Sequence, residues 1–201
     1  SLPHDAILGM YKDKRGTLWF HTFTGGLEVY DRATDCFVHY GHDPHDRQTL
    51  SGDSVTSFYA DDAGGLWIGT RVNGVNLFDP TWAKFSTFRD TAQAAEHLSN
   101  NSVWAFASSP GNRDADGREQ ALWVSTFAGI NYWDRRAGTF TFYEIDPQLP
   151  DIVAYAALED TARDTLWLAT TMGLERAALP RDVSAAPETL DFTRVFTRTS
   201  A

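Results

Sequence analysis

The 201-residue sequence predicts an all-β fold of four consecutive four-stranded antiparallel blades. Three observations predict it. First, the tripeptide Leu-Trp-apolar occurs four times: Leu18-Trp19-Phe20, Leu66-Trp67-Ile68, Leu122-Trp123-Val124 and Leu166-Trp167-Leu168, with Trp-to-Trp spacings of 48, 56 and 44 residues. Second, a glycine turn and another apolar run follow each copy. Third, aromatics make up 13% of a chain that is only 42% hydrophobic, and they are periodic. A unit of ~40–50 residues with four short strands, repeated, is the signature of a β-propeller.

Each strand follows from the pattern. Strand A is the apolar run ahead of the tryptophan: Ile7 to Tyr11, Val55 to Ala60, Val103 to Ala107 and Ile152 to Leu158. Asp13-Lys14-Arg15-Gly16 and Asp61-Asp62-Ala63-Gly64 then form hairpin turns, with Asp and Gly at backbone angles other residues resist. Strand B carries the Leu-Trp motif. Gly25-Gly26 and Gly74 supply the positive φ between strands B and C. Strand C is Leu27-Glu28-Val29-Tyr30-Asp31, Val75-Asn76-Leu77-Phe78-Asp79, Ile130-Asn131-Tyr132-Trp133-Asp134 and a degraded Leu174-Glu175-Arg176. Strand D carries the aromatic pairs Phe37/Tyr40, Phe85/Phe88 and Phe140/Tyr143, and in the fourth unit runs from Leu190 to Phe196. The blades are 1–46, 47–95, 96–147 and 148–201. No segment sustains a helical period, and the stretch from Thr91 to His97 allows one helical turn at most. Tryptophans at the repeat period predict four equivalent buried positions between blades.

These units resemble the two-component regulator propeller repeat. Blade 2 carries Leu50-Ser51-Gly52-Asp53-Ser54-Val55, Asp61, Gly64, Leu66-Trp67-Ile68-Gly69-Thr70, Gly74-Val75 and Phe78-Asp79 in the family's order. Blade 3 opens Leu98-Ser99-Asn100-Asn101-Ser102-Val103-Trp104, and Tyr40-Gly41-His42-Asp43-Pro44 resembles the family's link between blades. Three features depart from the pattern. Blade 3 has an enlarged A–B hairpin, Ser108 to Gln120. Blade 4 lacks the Tyr-Asp end of strand C. Strand A of blade 4 has a one-residue ambiguity against Asp160. The resemblance implies the periplasmic or extracellular sensor region of a membrane-bound bacterial signalling protein, with a histidine kinase or diguanylate cyclase output. It implies ligands of glycan type and rings of more than four blades, often seven. The chain opens Ser1-Leu2-Pro3-His4-Asp5, without Met or a signal peptide, so the expectation is an excerpt of a longer array whose end blades favour self-association.

Charge and composition narrow the function. Seventeen Lys plus Arg against 27 Asp plus Glu give a net charge of −10, a poor match for phosphate backbones, so nucleic-acid partners are set aside. One cysteine, Cys36, excludes an intrachain disulfide. No apolar run approaches the ~18–20 residues of a membrane helix, so no direct membrane insertion is expected. No Gly-x-Ser-x-Gly elbow, phosphate-cradling loop or paired His-Glu motif is present, and no cofactor is expected. His42-Asp43-Pro44-His45-Asp46 reads as a solvated connector rather than a zinc site. Asp114-Ala115-Asp116-Gly117 has Ser125 where a calcium loop needs a later acid, so it is rejected as an EF-hand.

A propeller binds on the face made by its B–C turns and D–A connectors, because a rigid scaffold carries function on loops. Here the B–C turns are Thr22-Phe23-Thr24, Thr70-Arg71-Val72-Asn73, Thr126-Phe127-Ala128 and Thr170-Thr171-Met172. Variation in a fixed frame suits a binding face, and it also describes unconstrained turns. Phe23, Arg71, Asn73 and Phe127 are the candidate contacts to a small-molecule, oligosaccharide or small anionic ligand. Aromatic faces stack on sugar C–H surfaces, and a guanidinium grips an anion with two hydrogen bonds. Trp104 and Tyr155 open their A strands and edge the predicted channel, although core packing is the first reading for Trp104. The leading function is non-catalytic ligand sensing. A propeller lyase or glycosidase and a protein-interaction scaffold are the alternatives.

Overall fold

The computed structural model describes residues 6–13, 15–22, 24–79, 83–91, 97–149, 152–180 and 185–196. It contains four separate four-stranded sheets, each with its strands in chain order. Blade 1 is β1 (Ile7–Lys12), β2 (Leu18–Thr22), β3 (Leu27–Asp31) and β4 (Cys36–Tyr40). Blade 2 is β5 (Val55–Ala60), β6 (Leu66–Thr70), β7 (Val75–Asp79) and β8 (Lys84–Phe88). Blade 3 is β9 (Val103–Ser108), β10 (Ala121–Thr126), β11 (Gly129–Asp134) and β12 (Thr139–Tyr143). Blade 4 is β13 (Ala154–Asp160), β14 (Thr165–Thr170), β15 (Gly173–Ala178) and β16 (Phe192–Phe196). The fold is the predicted all-β propeller architecture. Most of Thr91 to His97 lies outside the described residues. The chain divides into two compact units. One holds blades 1 and 2 with residues 101–103, and the other holds 90–100 and blades 3 and 4.

In the first unit, one face of blade 1 meets one face of blade 2. Trp19 and Leu27 pack with Leu50, Val55, Leu66, Ile68, Phe78 and Phe85 as a single buried cluster. Trp19 meets Phe78 edge-on at 5.2 Å between ring centroids, and Tyr40 meets Phe85 at 5.9 Å. His21 is buried in the same interface, where its Nδ1 is 2.8 Å from the Val55 carbonyl oxygen and its ring meets Phe58 edge-on. The second unit repeats the plan. Trp123, Ile130, Tyr132 and Tyr143 of blade 3 pack with Ala154, Leu166, Leu168 and Ala177 of blade 4.

A buried indole needs a partner for its N–H. In blades 1 and 2 the hairpin aspartate supplies it. Asp13 Oδ2 accepts from Trp19 Nε1 at 3.1 Å, and Asp61 Oδ2 accepts from Trp67 Nε1 at 2.9 Å. The other oxygen holds the turn amides of Arg15 and Thr17, or of Gly65. In blade 3 the enlarged hairpin carries no aspartate in that place, and Glu159 of blade 4 reaches across instead. Its Oε2 accepts from Trp123 Nε1 at 2.8 Å and from Ser109 Oγ at 2.7 Å, while Oε1 accepts from Gly111 N at 2.9 Å.

Blade 4 resolves the one-residue ambiguity. β13 starts at Ala154, two residues after the predicted start, because Ile152 and Val153 are buried connector residues. It continues to Asp160, pairing Glu159 with Leu166 and Asp160 with Thr165. A one-residue change of register moves a side chain to the other face. Glu159 therefore points toward blade 3, and Asp160 turns out to Arg163 at 2.9 Å. Trp167 corrects an expectation. It is half-buried rather than buried, because its face of blade 4 is turned away from blade 3, where the Arg176 guanidinium lies 5.9 Å from the ring centroid. β16 likewise begins at Phe192 rather than Leu190, whose side chain is buried beneath the sheet.

Two predictions follow from these contacts. Glu159→Ala leaves the Trp123 N–H and the Ser109 hydroxyl buried without acceptors, so it should lower unfolding stability by about 2–4 kcal/mol. Asp160→Ala removes only a surface pair and a turn bond, at about 1 kcal/mol or less. Urea unfolding of both variants checks the register, and equal losses would contradict it. Burial holds the His21 pKa below its ordinary value, against the raising effect of its bond to Val55. The unfolded chain then binds the extra proton, so this stability contribution is intact above about pH 6.5 and is lost as pH falls toward the folded pKa. His21→Gln should narrow the melting-temperature difference between neutral and mildly acidic buffer, and an unchanged difference would show that His21 does not contribute.

Candidate functional site

The candidate residues lie on the turns β2–β3 and β6–β7 of the first unit and on the turns β10–β11 and β14–β15 of the second. One grammar closes three of them. A threonine ends the first strand and its hydroxyl donates to the carbonyl of the glycine three or four residues on: Thr70 to Gly74 at 2.8 Å, Thr126 to Gly129 at 3.3 Å and Thr170 to Gly173 at 3.0 Å. The same oxygens accept from the amides of Asn73, Ala128 and Met172. Glycine is required after the turn for two reasons. At Gly26 and Gly129 φ is positive, and a Cβ would stand 2.6 Å from the Tyr40 carbonyl oxygen or 2.7 Å from that of Tyr143.

The connectors are clamped beneath these turns by a strand-C side chain that sequence reading did not single out. Asn76 accepts from the Ser51 amide at 2.9 Å and donates to Ser51 Oγ at 2.8 Å. Asn131 does the same for Ser99, at 3.0 Å in both directions. The corresponding positions in blades 1 and 4 are the buried Glu28 and Glu175, which face His39 and Arg194 across the sheet, each at 2.6 Å. The recurrence of Leu-Ser followed by Asn 25 or 32 residues later was visible in the sequence, and it is this clamp.

Arg71 and Asn73 come together on the β6–β7 turn. Arg71 is tied at its backbone: its amide donates to Ser54 O at 2.9 Å and its carbonyl accepts from Ser102 Oγ at 2.5 Å. Its guanidinium is exposed, and no ion pair or hydrogen bond engages it among the described residues. The Asn73 carbonyl accepts from Ser51 Oγ and from Arg89 Nε at 3.2 Å, and its side-chain amide lies against Gly52. Arg89, a second cation braced on this turn, was missed from the sequence because nothing in its local pattern sets it apart. Phe127 stands 41% exposed at the β10–β11 turn. Phe23 lies outside the described residues.

Tyr155 owes its position to a bulge. The first strand of each of three blades slips by one residue against the second, between Ile7 and Gly9, Val55 and Ser57, and Ala154 and Ala156. Leu8, Thr56 and Tyr155 are the extra residues, and Trp104 holds the matching place in Val103-Trp104-Ala105-Phe106. A bulge re-aims the side chain it carries. Leu8 is 55% exposed and Tyr155 53%. Trp104 is half-buried, and its ring meets Tyr155 edge-on at 5.5 Å, so it is neither a plain core residue nor a free surface one. Its indole N–H is buried without a hydrogen-bond partner.

The other motifs weighed in the sequence are used locally. His42 places Nδ1 2.8 Å from the Leu50 carbonyl oxygen and Asp43 accepts from the His45 amide, so the His-Asp loop holds its own shape. Asp114 accepts from the amides of Asp116 and Arg118 and from Gln120 Nε2 as an ordinary turn residue. Among the described residues, no three His, Cys, Asp or Glu side chains gather as a metal site. The candidate turns of the first unit offer guanidinium donors and an amide group, which suit charge-assisted hydrogen bonds, and those of the second offer exposed rings, which suit stacking.

Comparison with known proteins agrees with this architecture. Residues 1–24 and 49–71 match the family model described as two component regulator propeller, so these segments carry that repeat. No curated protein sequence matches the chain. Among solved structures, the chain is similar to an extracellular domain described as that of a hybrid two component system of B. thetaiotaomicron, BT3049. The TM-score is 0.76 at 23% identity, over 96% of this chain and 25% of that one. It is also similar to virginiamycin B lyase from Staphylococcus aureus, with a TM-score of 0.62 at 14% identity, over 98% of this chain and 59% of that one. PorZ, a surface component of the type-IX secretion system of Porphyromonas gingivalis, gives 0.59 at 18% identity, over 89% of this chain and 26% of that one. At these identities the likeness is one of fold, and the chain spans a quarter of the first of these structures. No helix among the described residues is long and apolar enough to cross a membrane, which says nothing of membrane β-barrels.

Because Gly52 has Asn73 packed on its Cα, Gly52→Val should disturb the β6–β7 turn while leaving the buried cluster of blades 1 and 2 in place. Amide exchange should quicken at 71–74 and stay slow in β6 and β7. Uniformly faster exchange across both strands would show that the turn is not independent of the core.

Proposed function

We propose that this chain is a non-catalytic, ligand-sensing propeller segment of a membrane-bound bacterial signal-transduction protein, working on the periplasmic or extracellular side. Its ligand is of glycan type or a small anion, held on the face of the B–C turns and connectors. The observation that carries the reading is Arg71: an exposed guanidinium with no partner among the described residues, on a turn whose backbone is fixed at both ends. A charge already tied into a surface pair has little left for a ligand, whereas a fixed and unpaired one is preorganised for it. Asn73 adds an amide beside it. In the second unit Phe127 and the Trp104–Tyr155 pair offer rings for stacking. The repeat match at 1–24 and 49–71 supports the signalling role.

The proposal extends to neighbouring blades. Met10, Leu18, Phe20, Tyr30 and Phe37 share the face of blade 1 turned away from blade 2, and Met10 is 75% exposed. These occupy the positions of Phe58, Leu66, Ile68, Phe78 and Phe85, which blade 1 covers on blade 2. A face built like a covered one takes a further blade, either of a longer chain or of a second copy.

Titration calorimetry with acidic and neutral oligosaccharides and with sulfate should find weak binding. Arg71→Ala should weaken it about ten-fold, the usual scale for losing a charge-assisted pair, without a shift in melting temperature. Binding unchanged in Arg71→Ala and Phe127→Ala, or hydrolysis or elimination of a ligand lost on replacing an acidic residue, would contradict the proposal. Sedimentation of the 201-residue chain should show self-association that Met10→Lys and Phe20→Lys together reduce. A monomer at all concentrations would contradict the open face.

A further inference from the structure

The opposite ends of the blade 1 and blade 2 strands hold a second cleft. Its floor is Trp19, Ala60, Leu66 and Phe78, its sides are Asp13, Asp61, Gly64 and Gly65, and Arg15 stands at its mouth. The volume is about 50 Å³. Taking ~10–15 Å³ for each water-sized group, it has room for about four non-hydrogen atoms.

Two neighbouring glycines open this cleft. Blade 1 has Thr17 ahead of its Leu-Trp motif, and blade 2 has Gly65. A Cβ at Gly65 would stand 2.8 Å from Leu77 Cδ1 and 3.0 Å from Asp61 Oδ2, so a side chain there would have to push both aside. Gly64 has φ +88°, and the atom nearest to where its Cβ would lie is Arg15 Nη2, 3.8 Å away. The second hairpin is thus stripped of side chains where the guanidinium of the first leans over it.

The polar groups differ in what they have left to offer. Asp13 accepts from two amides and the Trp19 indole, and Asp61 from the Gly65 amide and the Trp67 indole. Both carboxylates are committed to the hairpins. The Arg15 side chain is exposed, and no acceptor engages its guanidinium among the described residues. An apolar floor under one uncommitted cation selects a ligand with a short apolar tail and a single negative head.

We propose that this cleft binds a short-chain aliphatic monocarboxylate, its tail against Trp19, Leu66 and Phe78 and its carboxylate on Arg15. The site is independent of the Arg71 turn, which lies at the other end of the β6 strand. The cleft has room for the alkyl tail of an acid of three or four carbons but not for a longer one, with the carboxylate outside at the mouth, where the exposed Arg15 guanidinium favours an acid over an amine.

Saturation-transfer NMR of the whole chain with butyrate tests this, with n-butylamine and octanoate as comparisons. Butyrate should bind weakly, and Arg15→Gln should weaken it about ten-fold or more, as loss of a charge-assisted contact does. Gly64→Asn, a residue that tolerates positive φ, should block the mouth and abolish the signal. Arg32→Gln, an exposed cation in the β3–β4 turn, controls for loss of charge and should leave binding as it was. Melting curves verify that each variant is folded. No butyrate binding, binding equal in Arg15→Gln and wild type, or preference for butylamine or octanoate would each overturn the assignment. Because Arg71→Ala should leave the butyrate signal unchanged, the outcome stands apart from that of the proposed sensing face.

Discussion

The pairing of a carboxylate with the indole N–H of Trp19, Trp67 and Trp123 is the constraint on which the blades depend. A tryptophan between two sheets contributes a large apolar area, but its N–H is costly to bury alone. Asp13 and Asp61 meet that need from within the hairpin, six residues ahead of the ring, and hold the turn amides with the same group. One side chain therefore fixes the turn, the rotamer of the tryptophan and the spacing to the next sheet. This is why the motif recurs as Asp, Gly, Leu, Trp in that order rather than as tryptophan alone.

Blade 3 shows what happens when the local acid is absent. Its hairpin is longer, and the N–H of Trp123 turns to Glu159 on the next blade. Glu159 also takes the hydroxyl of Ser109 and the amide of Gly111, so the insertion and the neighbour are locked together by one carboxylate. Blade 4 itself keeps the common register: Leu158 stands against Trp167 as Tyr11 and Tyr59 stand against Trp19 and Trp67. Trp167 lies on the face turned away from blade 3, with Arg176 above it where Val29, Leu77 and Tyr132 stand in the other blades.

The repeat was legible because its parts are local. Leu-Trp, the turn glycines and the paired aromatics recur within a few residues of one another, and alternation alone assigns them to faces. The ambiguity at Asp160 was visible but not its resolution, since choosing between Glu159 and Asp160 requires knowing that Trp123, 36 residues earlier, needs an acceptor. The site was legible in outline only. Arg71 and Asn73 were named from the turn, but Arg89 joins them through the chain's return in β8, and the Asn76 and Asn131 clamps span 25 and 32 residues. Trp104 and Tyr155 were placed at the starts of strands. The bulge that aims Tyr155 leaves no mark in composition, because it is one residue too many in an otherwise regular pair.

The same physics separates the two ends of the strands. At the B–C turns, threonine hydroxyls and clamped connectors satisfy the backbone, which frees side chains at the tips to vary from Arg71 to Phe127 to Met172. At the A–B hairpins the side chains themselves satisfy the backbone, so Asp13 and Asp61 are fixed and there is little freedom to vary. Arg15 is the exception, a hairpin side chain with no structural duty among the described residues, beside the one hairpin that two glycines have cleared. Side chains released from structural work are where a repeat scaffold has room for chemistry. In this chain they fall on Arg71 at one end of the blades and on Arg15 at the other.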